Sequence, residues 1–148
     1  MSRLIPLFLV PDPHHLQRFL DAQEPVFAAV CAELRRGRKR SHWMWFIFPQ
    51  IRGLGQSQMA EKYAISSKEE AAAYLEHPIL GPRLRECTSL VNRIERSSID
   101  QILGYPDDLK FRSSMTLFAH ATPDNQVFSE ALAKYFGGEP DPLTIERL

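Results

Sequence analysis

The chain has 148 residues, 18 basic and 18 acidic, with 44% hydrophobic and 24% charged side chains. That is ordinary globular usage, which excludes a disordered chain, and a net charge of zero removes any global pull toward a polyanion. One domain with one core is expected, burying roughly two thirds of the surface that the unfolded chain exposes.

The opening stretch MSRLIPLFLV is apolar, but it is interrupted by Pro6 and too short to cross a bilayer. It has no small-residue cleavage site before PDPHH. Residues 1–11 therefore read as an apolar arm ahead of a single helical domain over 12–148, in a cytoplasmic setting with no membrane partner. After Pro13 the apolar period approaches 3.6: Leu16, Phe19 and Leu20 form one stripe, and Val26, Ala29, Val30 and Leu34 another that stops at Gly37. Both stripes predict short helices.

Next come the basic cluster Arg35, Arg36, Arg38, Lys39 and Arg40 and the run SHWMWFIFPQIRGLGQS, residues 41–57. The run admits two readings. Its aromatic rings are each able to remove on the order of 150–250 Å² from water and would make a core wedge. Its polar edge, with His42, Gln50 and a Gly-x-Gly turn before an N-cap at Ser57, would make the wall of a binding site. No strand precedes the glycines, so they do not form a dinucleotide fingerprint.

Ser67 with Glu70 has capping-box spacing ahead of AAAYLEH, and Leu80, Leu84, Cys87, Leu90, Val91 and Ile94 keep helical phase after Pro78. His77 before Pro78 reads as a helix-end cation favoured by the dipole. Ser98 with Gln101 predicts a second box on a short helix ending at Gly104. The helix after Pro106 has no charged side chain from Ser113 to Ala121 except His120, and so reads as the enclosed central element. A last helix runs from about Pro123 to Phe136, stopped by Gly137 and Gly138. The expected fold is all-α, roughly seven short helices around a central buried helix, with no repeat.

The central helix carries the other chemistry-bearing residues. Lys110 sits on an otherwise apolar face and needs a partner, which Asp107 at i, i+3 would supply, or an anion. Ser113, Ser114 and Thr116 need i−4 carbonyls, other side chains or a ligand to satisfy their hydroxyls. Neither a G-x-S-x-G elbow nor an HExxH helix nor a Walker loop occurs. Cys31 and Cys87 lack metal or redox spacing, and the adjacent His14 and His15 point apart, so no metal and no cofactor is expected. His42 and His120 are the groups able to titrate near neutrality.

The segments KRSHWMWFIFPQIRGLGQS, YAISSKEEAAAYLEHPILGPRLREC, DDLKFRSSMTLF and YFGGEPDPLT together resemble a widespread bacterial family of small, mainly helical proteins of unknown function, at times mislabelled calpastatin. The likeness runs from about Asp12 to Thr144. It implies an all-α domain and a bacterial cytosolic setting, and no activity, cofactor or partner.

The residues support three expectations. In the first, a small-ligand protein, an enzyme or a binder, takes a phosphorylated or nucleotide-like metabolite. Lys39 and Lys110 hold the anion, Trp43 and Trp45 stack, His42 moves a proton, and Gln50, Ser57, Asp107, Ser113, Ser114 and Thr116 complete the site. In the second, Arg35–Arg40 binds nucleic acid or another polyanion. In the third, the chain is an interaction scaffold without catalysis.

Overall fold

The computed structural model describes residues 11–148, and the apolar arm expected at the N-terminus lies outside them apart from Pro11. Local signals set the elements in chain order. Leu16, Phe19 and Gln23 bury one side of α1 (Gln17–Gln23), and Val30, Cys31 and Leu34 bury one side of α2 (Phe27–Arg35). Within the aromatic run a single turn forms, α3 (Met44–Ile47). Ser57 caps α4 (Gln58–Lys62), its hydroxyl accepting from the Ala60 amide at 3.1 Å.

Ser67 likewise caps α5 (Lys68–Glu76), accepting from Glu70 N. The expected box is only half made, because the Glu70 carboxylate turns instead to Ser66 and to Arg18, 2.9 Å away. The long α6 (Leu80–Asn92) follows, and Ser98 with Gln101 closes a full box on α7 (Ile99–Leu103). Then come α8 (Asp107–Ala121), α9 (Gln126–Phe136), stopped by left-handed Gly137, and α10 (Pro142–Ile145), capped by Asp141.

Ten helices among the described residues replace the seven expected. The additional three, α3, α4 and α10, span four or five residues each, too few to show a period. No strand forms among the described residues; a lone bridge joins Ile51 to Ile65. The all-α expectation holds, and α8 is the central helix. It packs against α5, α7, α9 and α10, burying Phe111, Met115, Leu117 and Phe118 completely.

Most of the aromatic run is core. Trp43, Met44, Phe46, Ile47 and Phe48 are all buried, and Phe48 meets Phe111 of α8 edge-on with ring centroids 4.9 Å apart. Only Trp45 is left half-buried. The run is fixed by Glu33, a carboxylate on the inner side of α2. It accepts from the Arg40 amide at 2.6 Å, the Ser41 amide at 3.0 Å, the Ser41 hydroxyl at 2.5 Å and the Trp43 indole at 3.0 Å. Burial raises its pKa, but the hydrogen bonds from Ser41, Arg40 and Trp43 outweigh burial and hold it down to about 2.

Two other residues behave differently from their appearance in the sequence. His77 is not a cation at the end of α5: its Nδ1 accepts from Ile79 N at 3.1 Å and Leu80 N at 3.2 Å, capping the start of α6, and burial lowers its pKa. Cys31 and Cys87, distant in sequence, meet across the contact between α2 and α6 as buried free thiols whose pKa values burial raises.

Gly81 opens the first turn of α6 against the end of α5, where an added Cβ would stand 2.0 Å from the Leu75 carbonyl oxygen. The clash is with backbone, so Gly81→Ala is expected to destabilise the protein by about 2–3 kcal/mol, read from its urea midpoint. Glu33 gives a pH signature. Because its folded pKa lies below the ordinary 4.5, its stabilisation is complete above that pH and is lost as pH falls toward 2. At about 1.4 kcal/mol per unit the loss is about 3 kcal/mol. Urea unfolding from pH 6 to 2 should show this acid limb in the wild type and a flatter one in a less stable Glu33→Gln variant.

Candidate functional site

The Glu33 clamp turns the chain at 38–43 so that the Lys39 amide donates to the Ile102 carbonyl at 2.7 Å, beside the start of α8. Its side chain is thereby carried to Asp107, with Nζ 2.9 Å from Oδ2. Lys110 approaches the other oxygen of the same carboxylate at 3.3 Å. Two ammoniums thus share the Asp107 carboxylate at the N-terminus of α8. Lys39 is the more enclosed, its side chain 10% exposed against 25% for Lys110. Each also lies near an indole: Lys39 Nζ is 5.2 Å from the Trp43 ring centre and Lys110 Nζ 5.0 Å from that of Trp45.

Lys110 opens onto a cavity of about 580 Å³ between the 50–57 segment, the first turns of α8 and the approach to α10. Of the site residues expected from sequence, Trp45, Gln50, Ser57, Lys110 and Ser113 line it. Lys39 and Asp107 reach it through the ion pairs at its edge. The others do not. Trp43 is 1% exposed with its indole committed to Glu33, and Thr116 is buried, its hydroxyl donating to the Arg112 carbonyl at 2.8 Å. Ser114 is fully buried, and its hydroxyl has no hydrogen-bond partner among the described residues. His42 is exposed and off the cavity wall, so the shared hollow expected for His42 and Lys110 does not form.

Sequence reasoning missed Asp141, Arg112, Leu109 and Leu143, all on the cavity wall. Asp141 carried a usable signal, an Asp-Pro step that caps a helix. Its carboxylate accepts from the Ser113 hydroxyl at 2.9 Å and ties the approach to α10 onto α8. The apolar side chains carried none. Leu109 and Leu143 stay 49% and 56% exposed, giving the cavity an apolar rim.

The basic cluster splits. Arg35 and Arg36 line a separate hollow of about 580 Å³ with Arg93 and Glu95, Arg38 and Arg40 are exposed, Arg35 makes a long 3.9 Å contact with Glu86, and Lys39 turns inward to α8. A second hollow, about 760 Å³, lies between α1 and the α5–α6 junction, with Leu16, Leu20 and Ile79 inside and the acidic Asp12, Asp21 and Glu24 around it. Among the described residues its walls carry no lysine or arginine. Among the described residues no helix is long and apolar enough to cross a membrane.

The family model described as "Protein of unknown function (DUF1810)" matches residues 13–148, and the chain belongs to that family. The chain is also similar to the conserved hypothetical protein Rv1873 from Mycobacterium tuberculosis, whose crystal structure is known. Identity is 60%, the match covers 93% of this chain and 98% of that one, and the TM-score is 0.92. No curated protein matches.

Asp107 is the joint of the site. Asp107→Asn leaves the enclosed Lys39 ammonium without its counter-ion and is expected to lower stability by about 1–3 kcal/mol at neutral pH. Lys110→Ala, which removes the more exposed partner, should change it by less than about 1 kcal/mol. Chemical denaturation of the two variants side by side checks the order.

Proposed function

We propose that this member of a family without an assigned activity binds a small anionic, nucleotide-like metabolite in the cavity at the start of α8. The observation that supports the reading is the convergence of Lys39 and Lys110 on Asp107 beside the half-buried Trp45. An ammonium is a compact charge suited to phosphate, and an indole face suits a planar base. The geometry divides the labour. Lys39, closer to Asp107 and more enclosed, stays as the permanent counter-ion; Lys110, at the longer distance and more exposed, is free to turn to a ligand. Gln50 and Ser57 supply neutral polar groups on the facing wall. No histidine lines the cavity, and the function we assign is binding. A cytoplasmic setting fits the two free thiols.

The exposed guanidiniums of Arg36, Arg38 and Arg40 favour a second reading, a polyanion surface. One experiment separates the two. Nucleotides, sugar phosphates and a single-stranded oligonucleotide are screened by thermal shift against wild type, Lys110→Ala and an Arg36→Ala/Arg38→Ala double variant. A small ligand at 100 times its dissociation constant adds about 2.7 kcal/mol, a rise of several degrees in melting temperature. The cavity reading expects stabilisation by mononucleotides or sugar phosphates that Lys110→Ala abolishes and the double arginine variant keeps. The reverse pattern assigns binding to the basic face, and stabilisation by nothing in the panel refutes both.

A further inference from the structure

Asp141 stands on the wall of the same cavity, and its carboxylate is half committed. All the hydrogen bonds it accepts fall on Oδ2: from the Thr144 hydroxyl at 2.6 Å, the Ser113 hydroxyl at 2.9 Å and the Thr144 amide at 3.2 Å. Its own amide donates to the Thr116 hydroxyl at 2.9 Å. Oδ1 accepts from no described residue, and no described Lys or Arg is within ion-pairing distance of the group. Arg112, on the same wall, makes no ion pair with Asp141 and donates Nε to the Glu139 carbonyl at 3.0 Å. Backbone and side chain together therefore hold one oxygen while the other is left as a fixed, charged acceptor. Such an acceptor loses little freedom on binding, and a charge-assisted bond to it is about twice as strong as a neutral one.

Its position relative to Lys110 limits what can use it. Ser113, which holds Asp141, lies one turn beyond Lys110 on α8, so the two side chains spring from neighbouring places roughly 5 Å apart on one helix face. A cation and an anion thus line one hollow beside an aromatic ring.

We infer that the ligand is dipolar: an anionic group that meets Lys110, a flat body against Trp45 and, at its far end, an N–H or O–H donor that meets Asp141 Oδ1. Asp141 is then the residue that selects among anions, favouring those with a donor and repelling those with a second negative charge at that end. This inference rests on the cavity reading above and adds the substrate class to it.

The test uses the full chain and two probes that differ by one donor, phenyl phosphate and 4-aminophenyl phosphate, in isothermal titration calorimetry. The wild type is expected to bind the amino compound about tenfold more tightly, the effect of one charge-assisted hydrogen bond. Asp141→Asn should bring the ratio to about one. Its carbonyl would take over Ser113 and Thr144, leaving an NH₂ to face the donor. Lys110→Ala should weaken both probes alike. Measurable binding of both probes by the wild type at a ratio near one overturns the role of Asp141 and leaves the anion site standing; so does a tenfold preference that survives in a folded Asp141→Asn variant. Binding of neither probe at millimolar concentration overturns both readings. Should Asp141→Asn fail to fold, Asp141→Ser takes its place: a preference lost there supports the role of Asp141 and one kept overturns it, and a wild-type ratio near one overturns it without any variant.

Discussion

A buried carboxylate that accepts four hydrogen bonds from one short stretch of chain is the constraint from which the rest follows. Glu33 is placed on α2 by ordinary helical phase between Val30 and Leu34, yet it faces a segment that has no regular structure of its own. By capturing Arg40, Ser41 and Trp43 it turns the chain back onto the domain, seats Trp43 in the core and aims Lys39 at α8. A lone buried charge would be strongly destabilising; four donors make it a fixed corner. The aromatic run then adds bulk to the core, and only Trp45 is left at its edge.

The hollow at the start of α8 is assembled from pieces that do not depend on one another. The Glu33 corner delivers Lys39, the turn before α4 delivers Gln50 and Ser57, and the Asp141 cap delivers the approach to α10. Each piece has its own local reason to fold, and none of those reasons involves a ligand. That the pieces nevertheless bring two ammoniums, a carboxylate and an indole edge to one place is what distinguishes this hollow from the larger one beside α1, which is apolar and acid-rimmed. Size alone would favour the other; charge favours this one.

How much was legible in the sequence can be traced through particular residues. The longer helices showed themselves by apolar period and by Ser67, Ser98 and Gly137, because those signals are local. The pairing of Asp107 with Lys110 was legible for the same reason, three positions apart on a helix. Glu33 was not: an acid in a helical stripe looks solvated until the partners seven to ten positions later are known. Nor was the separation of Trp43 from Trp45, since alternate positions in an aromatic run look equivalent until α3 forms and turns them apart. His77 misleads in the opposite direction. An imidazole before proline suggests a cation at a helix end, but α6 begins so soon afterwards that its unpaired amides claim the ring nitrogen as an acceptor.

The unequal fates of the two tryptophans have an optical meaning. One indole is sealed beside a carboxylate in dry interior, and the other looks out over Lys110 at the hollow's edge. The chain therefore contains both a steady internal standard and a gauge of whatever enters, two emitters whose surroundings change in different circumstances. Loss of the fold must disturb the first, whereas occupancy of the hollow need disturb only the second, so intrinsic fluorescence can tell a guest from a collapse without any added dye.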